Sequence, residues 1–66
     1  MATLETLTAE YRAISAEMAD LRARAPHARD YAPDDFAQAQ AEPYAQLAAL
    51  ASMRQTCVAD GRALQH

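Results

Sequence analysis

From Leu4 the larger apolar residues fall at Leu4, Leu7, Tyr11, Ile14, Met18 and Leu21, and Ala25 closes a 3,4,3,4,3,4 spacing. That is the repeat of the a and d positions of a heptad, so it predicts a helix over about residues 3–25 with one narrow apolar seam. Thr3 is placed to act as its N-cap with Glu5 in the first turn. Arg22 and Arg24 stand in the last turn, where their charge opposes the macrodipole, and Asp20 and Arg24 form an i,i+4 pair. Pro26 disfavours helical geometry for Ala25 and ends the element.

Residues 26–33 are bracketed by two prolines and carry no apolar repeat, so they read as the connection between helices. Pro33 followed by Asp34 and Asp35 has the form of a helix start, with proline in the first turn and two carboxylates facing the positive end of the dipole. A second helix is predicted over about 34–60. Its stripe is broader, running through Phe36, Tyr44, Leu47, Leu50, Ala51, Cys57 and Val58, and Gly61 is a natural C′ residue that leaves 61–66 as a frayed tail. Pro43 removes one backbone hydrogen bond and predicts a kink. The expected fold is all-α, one antiparallel helical hairpin.

Composition changes this picture in one respect. Of 66 residues, 52% are hydrophobic, yet 18 are alanine and only 16 are larger apolar residues. A two-helix chain with so few large side chains leaves the far side of its seam uncovered, and domains below about 70 residues usually need an additional staple. One cysteine forms no intrachain bridge and suits a reducing compartment, while two histidines and one cysteine make no zinc site. A second copy is the remaining solution. The expectation is therefore a homodimer in which two hairpins pair about a twofold axis as a four-helix bundle.

The residues expected at a dimer or partner-helix interface are Tyr11, Met18, Phe36, Tyr44, Leu47, Ala48, Leu50 and Ala51. Small residues at Ala37, Ala41, Ala45, Ala48 and Ser52 line the second helix and would admit a close helix neighbour. The alanines of the first helix, Ala9, Ala13, Ala16 and Ala23, are explained by helix propensity alone.

Net charge is −3, and the cations are all arginine. Residues 20–31 sum to +1 between arms of −2 each, so Arg22, Arg24, His27, Arg29 and Tyr31 form a candidate partner-binding tip. No catalytic set is legible: Cys57 lies at a stripe position, and His27 and His66 are far from it in sequence. Neither a metal nor a cofactor is implied. The start lacks the basic and apolar regions of a secretion signal, and the longest apolar run, Leu47 to Ala51, falls far short of the roughly 20 residues of a membrane span.

These features point to a cytoplasmic, non-enzymatic protein–protein interaction module, an accessory, inhibitory or adaptor factor of the kind frequent among phage and mobile elements. Its target protein is not named by the sequence. The alternative is a nucleic-acid-associated regulator or phosphate-ligand binder using the basic tip, which the net acidity disfavours.

Overall fold

The computed structural model describes residues 2–65. It is an all-helical hairpin: α1 runs Leu4–Arg24, a single 3-10 turn occupies Ala28–Asp30, and α2 runs Pro33–Gln65. The rod measures 50 × 15 × 14 Å.

Local chemistry sets the boundaries of α1. The Thr3 hydroxyl accepts from the Thr6 backbone N–H at 3.1 Å, and the Thr3 N–H donates to the Thr6 hydroxyl at 3.0 Å, so two otherwise orphaned donors are satisfied reciprocally. At the other end Ala25 turns to an extended conformation ahead of Pro26, as a residue before proline prefers. The i,i+4 pairing expected of Asp20 and Arg24 takes another form: Arg24 Nε donates to the Asp20 backbone carbonyl at 3.3 Å and so caps one of the last turns. At the start of α2 the Phe36 N–H donates to the Ala32 carbonyl at 2.8 Å, which puts Pro33 in the first helical position.

One expectation for α2 is corrected. Helix continues past Gly61 to Gln65, with no glycine at positive φ, so the segment expected as a frayed tail is helical; His66 lies outside the described residues. Gly61 belongs to the seam and lines a groove with Leu4, Leu7 and Thr8, whereas the side chains of residues 62–65 are exposed. Pro43 lies inside the helix, which runs on through it.

Antiparallel pairing places Glu10 beside Cys57 and Ser15 beside Arg54. The core is small: Ile14, Met18 and Cys57 are buried together, with Leu47, Leu50 and Ala51 packed against them, and Leu7 is buried nearer the termini. Met18, expected at an outer interface, is instead the most enclosed of these at 3% exposure, because its seam position points it at α2. The α2 seam contains six of the seven residues of the expected stripe, Phe36, Leu47, Leu50, Ala51, Cys57 and Val58, all partly or fully buried, and extends it: Phe36, Gln40, Pro43, Leu47, Leu50, Arg54, Cys57 and Gly61 follow a 4,3 alternation that includes a proline, an arginine and a glycine. Tyr44 is one position round from that seam and 60% exposed, and Met53 is 54% exposed.

Candidate interaction faces

Each helix of a hairpin has a seam and two flanks, and successive residues turn by about 100°. Two sets of contacts identify which flanks lie together. On one side, Glu17, Asp20, Leu21 and Arg24 of α1 share a groove of about 530 Å³ with Gln46, Ala49 and Leu50 of α2. The same side carries Glu10, whose carboxylate accepts a hydrogen bond from the Cys57 thiol at 3.4 Å, and Asp60, whose charge also acts on that thiol. On the opposite side, Arg54 Nη1 donates to Ser15 Oγ at 3.5 Å and its guanidinium lies 5.7 Å from the centre of the Tyr11 ring. A second groove there, of about 310 Å³, includes Leu4, Thr8, Tyr11, Arg12 and Val58.

Charge divides between the two flanks. Helical phase adds Asp35 and Glu42 to the first, which thus carries six carboxylates against Arg24 alone. It adds Arg22 and Arg62 to the second, which joins them to Arg12, Arg54 and the exposed rings of Tyr11 and Tyr44, with Glu5 at its edge. The hairpin thus has an acidic flank and an arginine–tyrosine flank.

The residues of the candidate tip are all exposed, but they do not form one patch. Arg22 and Arg24 are two positions apart on α1, about 200° around the helix, and so belong to opposite flanks. His27 precedes the 3-10 turn, Arg29 lies within it, and Tyr31 packs its ring against Phe36 with centroids 6.4 Å apart. Asp30, Asp34 and Asp35 occupy the same end of the rod and offset the arginines. Of the expected interface residues, Tyr11, Tyr44 and Ala48 are exposed. Phe36, Leu47, Leu50 and Ala51 are half-buried along the seam, leaving only their edges outward. Sums of charge along the chain do not resolve the two flanks; the 3.6-residue period of each helix does.

Among the described residues, no three metal-binding side chains come together, and no helix is long and apolar enough to cross a membrane. Cys57 is the one nucleophilic thiol. Its burial, the hydrogen bond and charge of Glu10, and the charge of Asp60 all push its pKa upward. The thiol is therefore held protonated, the opposite of what a reactive cysteine requires. Because the folded state keeps this proton at a pH where the unfolded chain has lost it, stability falls as pH rises from the ordinary thiol range toward the raised value. Thermal melts between pH 8 and pH 10 are expected to drop more steeply for the native chain than for Cys57→Ala; equal slopes would contradict this coupling. Comparison with protein-family models, curated proteins and solved structures finds no match.

Proposed function

We propose that this chain is a non-enzymatic protein–protein interaction module of the cytoplasm, an accessory or inhibitory factor that acts on a target protein and whose hairpin is completed by a second copy of itself. The observation that carries the reading is surface area. The hairpin exposes 5183 Å², whereas a compact folded monomer of 7.2 kDa exposes about 4,100 Å² by the usual mass scaling. The difference, about 1,000 Å², is slightly more than the roughly 800 Å² that each partner buries in a standard interface.

Tyr11, Tyr44, Met53, Leu4 and Leu64 supply much of this excess as exposed apolar surface. Since Arg22 and Arg24 face opposite ways, a single phosphate-gripping tip is not the reading favoured here. Sedimentation equilibrium at low micromolar concentration tests the proposal. The expected mass is at least twice 7.2 kDa, and a compact, stable monomer would overturn it.

A further inference from the structure

Three times along the chain an acid precedes an arginine by two residues: Glu10 and Arg12, Asp20 and Arg22, Asp60 and Arg62. All six side chains are exposed and helical. Two positions on a helix turn about 200° and rise about 3 Å, so each pair sets an acid on the acidic flank and an arginine on the opposite flank at nearly one height. We infer that a second copy seats its arginine–tyrosine flank on the acidic flank of the first, in parallel and near register, so that copies associate front to back. This rests on the reading that a second copy completes the hairpin, and it replaces the twofold axis with a translation.

Charge decides between the two arrangements. A twofold pair through the arginine–tyrosine flank gathers eight arginines against two glutamates, and one through the acidic flank gathers twelve carboxylates against two arginines. Both juxtapose like charge, which opposes association. A front-to-back pair opposes them instead: Arg12 stands over Glu10, Arg22 over Asp20 and Arg62 over Asp60.

Shape agrees with charge. The acidic groove spans Gln46 to Leu50 of α2, and its apolar floor is Leu21, Ala49 and Leu50. Tyr44, on the other flank, lies near the same height and is the most exposed large apolar residue. A copy translated across the rod therefore brings the Tyr44 ring to a groove with room for it. Such a heterologous contact leaves one unused flank at each end, so association continues beyond two copies.

Two charge-reversed variants test the arrangement: Arg22→Glu with Arg62→Glu, and Asp20→Arg with Asp60→Arg. All four sites are exposed, and circular dichroism is expected to show native helix content in both. In 50 mM NaCl the wild-type chain should reach masses above the dimer as concentration rises and fall to smaller species in 0.5 M NaCl. Each variant alone should stay monomeric, while an equimolar mixture should associate again. If either variant alone forms a species limited at two copies, or if the mixture gains nothing, front-to-back stacking is overturned while the second-copy reading stands. A wild-type chain that remains a monomer under every condition overturns both.

Discussion

Met18→Ala is expected to remove a large part of the hairpin's stability. Methionine-to-alanine changes in a core cost about 2–5 kcal/mol, whereas a folded chain of this size has a total stability of roughly 3–10 kcal/mol. Met18 is the most enclosed residue of a core in which Ile14 and Cys57 are buried beside it, with Leu47, Leu50 and Ala51 at its margins. No second layer exists to collapse into the space. Loss of ellipticity at 222 nm on heating should move down by about 10 °C or more, at about 4–8 °C for each kcal/mol in a small domain. Met53→Ala is the matched control, because that side chain is more than half exposed and its loss from a dilute chain should change stability by no more than about 0.5 kcal/mol. Equal effects of the two substitutions would mean that the seam between α1 and α2 is not what holds the chain.

Pro43→Ala is expected to act in the other direction. Pro43 lies inside α2, where it has no N–H to donate and its ring crowds the preceding turn, a combination that costs about 3 kcal/mol relative to alanine. The half-buried position of its ring returns part of that. A net gain of about 1–2 kcal/mol should remain and raise the thermal midpoint by about 5–10 °C. A lower midpoint would show that ring packing outweighs the backbone cost. Proline at this place limits the helix without stopping it, since Ala39, Ala41, Gln46, Leu47 and Ala48 around it are good helix formers.

These two residues mark what could and could not be read from the sequence. The α1 seam was legible because apolar side chains fill it at Leu7, Ile14, Met18 and Leu21, and its ends were legible because Thr3 and Pro26 act through local backbone chemistry. The α2 seam is legible in part: hydrophobicity marks Phe36, Leu47, Leu50, Ala51, Cys57 and Val58, but it also points to Tyr44, which stands beside the seam, and it does not assign Gln40, Pro43, Arg54 and Gly61 inward. The tip is not legible from proximity in sequence, since Arg22 and Arg24 are close along the chain and opposed in space. The continuation of α2 beyond Gly61 is not legible, because this glycine keeps helical geometry and does not take the positive φ of a C′ residue.

Arg54 has a consequence for how the helices find their alignment. Its stem lies in the seam, and its guanidinium reaches Ser15 and Tyr11 on α1. Sliding α2 by one heptad moves it about 10 Å along α1 while leaving the 4,3 alternation intact. One direction takes the cation away from the Ser15 hydroxyl toward Leu7, and the other brings it alongside Leu21 and Arg22, where like charge opposes it. Apolar residues alone would tolerate either slip at modest cost. The single cation in the seam thus works as an index mark that singles out one alignment from those the heptad pattern permits.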